Sequence, residues 1–128
     1  MKPILCLDFD GVCHSYTSGW KGATIIPDPP VDGMWEFLAE AFKEFQICIF
    51  SSRSNFPRGK EAMFDWFMSY AIDDWQVQLV ARLEFPIEKP AALITIDDRA
   101  YCFNGIWPDV KELRAFQPWN KEQEIKST

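Results

Sequence analysis

Three short apolar runs set the frame of this chain: Pro3-Ile4-Leu5-Cys6-Leu7, Gln46-Ile47-Cys48-Ile49-Phe50 and Leu93-Ile94-Thr95-Ile96. They are continuous rather than alternating, which marks strands covered on both faces, as in a parallel sheet. Each stops abruptly at polar residues: Asp8-Phe9-Asp10, Ser51-Ser52-Arg53 and Asp97-Asp98. Helical spacing fills the segments between them. Val31, Met34, Trp35, Leu38, Phe42 and Phe45 predict one helix, and Met63, Phe67, Tyr70 and Ala71 a second over residues 60–71. Residues 79–86 are a weaker strand candidate, Tyr101-Cys102-Phe103 a short last strand, and Pro108-Asp109 the start of a final helix carrying Val110, Leu113 and Phe116. Residues 13–30 are rich in glycine and proline, with a small hairpin expected around Trp20-Lys21-Gly22. Alternating strands and helices of this kind predict an α/β fold, three-layered, with a central parallel sheet.

At 128 residues the chain has the length of one domain, predicted over residues 1–119, with a polar C-terminal tail at 120–128. The apolar run at the N-terminus breaks at Asp8, too early for a signal peptide. No stretch reaches the roughly 20 apolar residues of a membrane span, so no membrane partner is expected. Cys6, Cys13, Cys48 and Cys102 form no C-x-x-C pair, which fits reduced thiols in a cytoplasmic protein. The single His14 excludes a multi-histidine metal site. A formal charge of −6 argues against a large basic nucleic-acid groove.

In open parallel sheets the ligand site lies beyond the carboxyl ends of the strands. That rule gathers Asp8, Asp10, Asp97 and Asp98 at one edge. Carboxylates so close repel one another, and the usual physical remedy is a hard divalent cation with oxygen ligands, of which Mg²⁺ suits one or two carboxylates plus substrate phosphate. A carboxylate is also a nucleophile toward phosphorus. If Asp8 attacks, Asp10 stands just beyond the strand end, where it can protonate the leaving oxygen and later deprotonate water. Ser51 offers a hydroxyl to phosphate oxygens, and Ser52 and Arg53 follow it as candidate substrate contacts. Lys89, in Glu88-Lys89-Pro90, is the natural fixed cation for the developing charge, with Arg99 in reserve. Lys60 is the alternative active-site lysine, but it opens a helix, whereas Lys89 leads into the strand that ends at Asp97.

The order Asp8-Phe9-Asp10-Gly11-Val12, then Ser51, then Lys89-Pro90, then Ile96-Asp97-Asp98-Arg99 resembles the four motifs of the haloacid dehalogenase superfamily. The resemblance implies a Rossmann-like sheet of strand order 5-4-1-2-3. It implies Asp8 as nucleophile and Mg²⁺ ligand, and Asp10 as general acid/base that also ligates metal through its backbone carbonyl. It implies phosphate binding by Ser51, stabilisation of the intermediate by Lys89, and metal ligation by Asp97 and Asp98. Aspartate at both ends of the first motif points to the phosphatase branch. The gaps between motifs are too short for a cap domain, so recognition falls to the 13–30 and 54–59 loops or to a partner subunit acting as a lid.

The expected activity is Mg²⁺-dependent hydrolysis of a small phosphorylated substrate. Two rivals are a catalytically weak binding or regulatory module and a nucleic-acid-end phosphatase, whose basic strip would have to come from Lys21, Arg53, Arg58, Lys60 and Arg99. His14 reads as a hydrogen-bonded structural residue, and Trp20 as either a stacking platform or a loop anchor. With the four aspartates assigned to a metal site, the remaining fifteen acids nearly balance thirteen bases, so the net charge mostly reports the site.

Overall fold

In the computed structural model, which describes residues 1–120, the three apolar runs form the strands β1 (Ile4–Leu7), β2 (Gln46–Ile49) and β3 (Ile94–Ile96). They make one parallel sheet of order β2-β1-β3. Cys6 lies opposite Cys48 on one side and Thr95 on the other, so the three strands end level with one another. This register brings the polar residues after each strand to a common edge.

Helix α1 (Met34–Ala41) is shorter than the apolar stripe suggests. Gly33, at φ +88°, takes a left-handed conformation that ends the helix on its N-terminal side. The stripe nevertheless packs as expected, with Met34, Leu38, Ala41 and Phe42 buried. Helix α2 (Gly59–Tyr70) buries Met63, Trp66 and Phe67. Residues expected to form a strand from 79 instead belong to helix α3 (Asp74–Arg82). The backbone N–H groups of Ile72 and Asp73 donate to Gln76 Oε1 at its start, and Leu79, Val80 and Leu83 are buried at helical spacing. Only Glu84 pairs with the sheet: its N–H donates to Ile47 and its carbonyl accepts from Ile49. Helix α4 (Val110–Arg114) starts where expected, with Asp109 accepting from Lys111 N–H, but buries none of its residues. Residues 101–103 form no strand, nor do residues 20–22.

Leu5, Leu7, Ile47 and Ile49 form one core with residues of α1, α2 and α3. Strand alternation sends the buried Cys6 and Cys48 to the opposite face. The 85–93 connection holds no helix, and α4 supplies no buried residue to that side. The expected three layers are therefore, among the described residues, a sheet with a helical layer on one face. The expected five strands are three plus the bridging residue Glu84. The fold is a mixed α/β fold. Among the described residues no helix is long and apolar enough to cross a membrane. Asn120, placed in the tail by the sequence, is buried, and residues 121–128 of that tail lie outside the described residues.

A 3₁₀ turn at Ser52–Asn55 links β2 to α2, and its backbone leaves no room beside Gly59: a Cβ there would collide with the Arg53 carbonyl. Gly59→Ala should therefore cost about 1–3 kcal/mol, the usual range for overpacking. A urea-unfolding midpoint equal to that of the parent would show that the turn can move aside.

Candidate active site

The residues after β1 and β3 bring together an oxygen each of Asp8, Asp97 and Asp98, all within 4.8 Å of one another. Burial, then the charge of Asp97, raises the Asp8 carboxyl from its ordinary 3.8 to about 7. Burial likewise raises Asp98, with Arg99 opposing. Asp98 is held side-on against the turn of the first motif. Gly11 has φ +81°, and a Cβ on it would run into the Asp98 carboxylate. Only 4% of the Asp98 side chain is exposed, and its Oδ1 is buried with no hydrogen-bond partner. Three crowded carboxylate oxygens and an orphaned buried anion fit a hard divalent cation better than any ligand set containing sulfur or nitrogen.

One cavity of about 210 Å³ collects residues from all three strand ends, Asp8, Ser51, Ser52 and Asp97, and its lining also includes Lys89, Cys6 and Thr95. The structure thus places Lys89 at the acidic cluster. Lys60 lines a separate cavity with Glu61, Phe64 and Phe85. The Ser51 hydroxyl accepts from Arg53 N–H at 3.0 Å, so its own proton remains to be donated into the cavity. Ser52 is exposed at the same mouth.

Two residues stand elsewhere than the sequence places them. Arg53 is fully buried and does not face the cavity as a substrate contact. Its Nε donates to both oxygens of Asp10 at 3.2 and 3.0 Å, and its Nη1 donates to the carbonyls of Gly22, Ala23 and Ile25. Its guanidinium carbon lies 4.7 Å from the Trp20 ring centre and 5.9 Å from that of Phe9. The Asp10 side chain is correspondingly outside the carboxylate cluster, held by Arg53 and by His14 Nδ1 at 2.9 Å. His14 Nε2 accepts from the Asp28 backbone N–H, which leaves the imidazole proton on Nδ1, facing Asp10. Burial alone would raise the Asp28 carboxyl, but hydrogen bonds from Ser18 outweigh it and hold the group below the usual range.

Tyr16 and Trp119 escaped the sequence reading. Tyr16 adopts φ +60°, a left-handed backbone that costs a bulky residue of order 1–2 kcal/mol. Its ring meets the His14 ring edge-on at 5.8 Å. Burial and then the Asp10 charge raise its phenol, with Arg53 and Arg99 opposing. Trp119 donates its indole N–H to the Gly11 carbonyl at 2.8 Å, tying the far end of the described chain to the first motif. Nothing in the local sequence signals either one; a positive φ at tyrosine and a contact 108 residues long are tertiary facts.

Comparison with known proteins gave no match: no family model, no curated protein and no solved structure.

Two outcomes follow from this geometry. Between pH 3.8 and about 7 the folded chain holds a proton on Asp8 that the unfolded chain has lost. Cation-free stability should therefore fall as pH rises through that window, while Mg²⁺ affinity rises and levels off above about 7. Melting and calorimetry across the range would check this, and Asp8→Asn should flatten the stability slope. Gly11→Ala should displace Asp98 and weaken Mg²⁺ binding about tenfold or more, as loss of ligand support does elsewhere. An unchanged affinity would show that the Gly11 contact does not position Asp98.

Proposed function

We propose that the chain is a Mg²⁺-dependent phosphohydrolase of haloacid dehalogenase type, without a cap domain, acting on a small phosphorylated substrate through an aspartyl-phosphate on Asp8. The observation that carries this reading is the cavity that holds Asp8, Ser51, Lys89 and Asp97 together, residues drawn from four segments up to 89 positions apart. The fold supports it at the coarser level of a parallel sheet whose strand ends carry the site. Rossmann-like membership of that superfamily and a cytoplasmic setting with three buried free cysteines belong to the same proposal.

Asp8, Asp97 and Asp98 would hold the cation, which when bound screens the carboxylates from one another and from a phosphate oxygen. Asp8 must be ionised to attack, so the same loss of its proton near 7 that favours the cation readies the nucleophile. A carboxylate oxygen forms a bond to phosphorus as the ester P–O bond breaks, and the leaving oxygen takes a proton. Water then displaces Asp8 from phosphorus, releasing inorganic phosphate and restoring the carboxylate. Ser51 O–H and the Lys89 ammonium bind and stabilise the phosphoryl oxygens. Asp10 is the proton donor and acceptor in this scheme. Its carboxyl group is held by Arg53 and His14, so it delivers a proton to the leaving oxygen from a fixed position and takes one back from the water that attacks phosphorus.

The burial of Arg53 removes one of the five cations that a nucleic-acid end would need, and Arg58 and Lys60 line other cavities, which disfavours that reading. Asp8→Asn decides the proposal. Turnover of a phosphomonoester panel in Mg²⁺ should vanish with the thermal transition retained. Metal-dependent phosphatase activity surviving in Asp8→Asn would sink the assignment, and Mg²⁺ binding by the parent without turnover of any ester would favour a regulatory module.

A further inference from the structure

Taking the phosphohydrolase reading as its basis, we propose that Trp20 and Phe56 form a leaving-group subsite for phosphomonoesters whose leaving group carries a flat aromatic ring.

The cavity that holds Asp8, Ser51 and Lys89 is small. At about 210 Å³ it lies below the roughly 300–1,000 Å³ of ordinary small-molecule pockets. It accommodates a phosphoryl group between Ser51, Lys89 and the acids, and little more. Without a cap domain, whatever the phosphate is attached to must rest on the rim.

Two large aromatic rings outside the cavity lining are each about half exposed: Trp20 at 46% and Phe56 at 50%. Their centres are 6.0 Å apart and their planes meet at 50°, an open corner rather than a closed stack. Both are tied to the catalytic groups. Phe56 caps the 3₁₀ turn that begins at Ser51, so at about 2 Å per residue it lies within about 10 Å of the proposed phosphate ligand. Trp20 rests on the Arg53 guanidinium, whose Nε is 3.0 Å from the Asp10 carboxylate.

A loop anchor would bury its ring. Trp20 is already fixed from beneath by a fully buried cation, and Arg53 also fastens the loop backbone at Gly22, Ala23 and Ile25. The half of the indole left in solvent adds nothing to that fastening. What a rigid, half-exposed indole beside a second ring offers is a π-face for stacking, selective for flat rings over saturated ones of equal size.

The test is calorimetric binding of two non-hydrolysable phosphonates to the full chain in Mg²⁺: benzylphosphonate, and cyclohexylmethylphosphonate as its saturated counterpart. Benzylphosphonate should bind about tenfold more tightly. That preference should fall to near parity in Trp20→Leu and persist in Trp20→Phe. Phe56→Leu, whose ring does not cover Arg53, should also reduce it and supplies the same readout if Trp20→Leu does not fold. Equal affinities in the parent, or a preference unchanged in these leucine variants, would overturn the subsite while leaving the phosphohydrolase reading intact. Failure of both phosphonates to bind would overturn the subsite and count against the phosphohydrolase reading as well.

Discussion

A guanidinium removed from water without compensation costs several kcal/mol, so a wholly buried arginine survives only where its donors are met. Arg53 largely meets that condition: its Nε and Nη1 are fully engaged and join three separate parts of the chain, while its buried Nη2 has no hydrogen-bond partner. Its backbone belongs to the turn after β2, its Nε grips Asp10 after β1, and its Nη1 collects three carbonyls from the 22–25 segment. Removing one partner of such a pair typically costs about 3–5 kcal/mol, because the other charge is left stranded. Without it, the glycine- and proline-rich loop would have little reason to lie over the strand ends. The loop is instead fixed at two points, by Arg53 near residue 23 and by His14 and Ser18 around Asp28.

That arrangement separates two kinds of acid that look alike in sequence. Asp10 and Asp28 are satisfied by protein donors, and their negative charge stabilises the fold. Asp8, Asp97 and Asp98 face one another, and burial and then the Asp97 charge raise the Asp8 carboxyl to about 7. The first group is fixed in place by protein donors and the second is poised for a cation. The division of labour between Asp8 and Asp10 therefore comes from their neighbours rather than from their places in the motif. Gly11 sits where the two groups meet, passing its carbonyl to Trp119 and leaving space for Asp98.

The strands were legible because continuous apolar runs broken by aspartate or serine have few other uses, and strand ends at one edge follow from parallel pairing. The joint placement of Asp8, Ser51 and Asp97 followed from the same logic, whereas Lys89, which precedes β3, was singled out as the cation the chemistry requires. Helix α3 was not legible as such, because Leu79-Val80 satisfies a strand or a helix equally over so short a run; the cap formed by Gln76 decides it. Arg53 was misplaced for a different reason. Arginine is ordinarily exposed, and nothing at position 53 signals that its partners lie 43, 31, 30 and 28 residues away. The same holds for the left-handed backbone of Tyr16, which only the packed loop imposes.

The narrow sheet has a consequence for how the site works. With β3 at an edge, Ile94 and Ile96 remain 55% and 39% exposed, and the acids after β3 stand at the margin of the molecule rather than in a deep cleft. An open site excludes little water, and that water screens its charges, so the electrostatic gain per fixed charge is smaller than in a closed one. Such a site must rely on number and rigidity. Two carboxylates, Asp8 and Asp97, share one small cavity with Lys89 and Ser51, Asp98 stands against both acids, and the Asp10 side chain beside them is immobilised by Arg53 and His14. Rigidity substitutes for enclosure, and the strained Tyr16 and buried Arg53 are the local costs that this substitution entails.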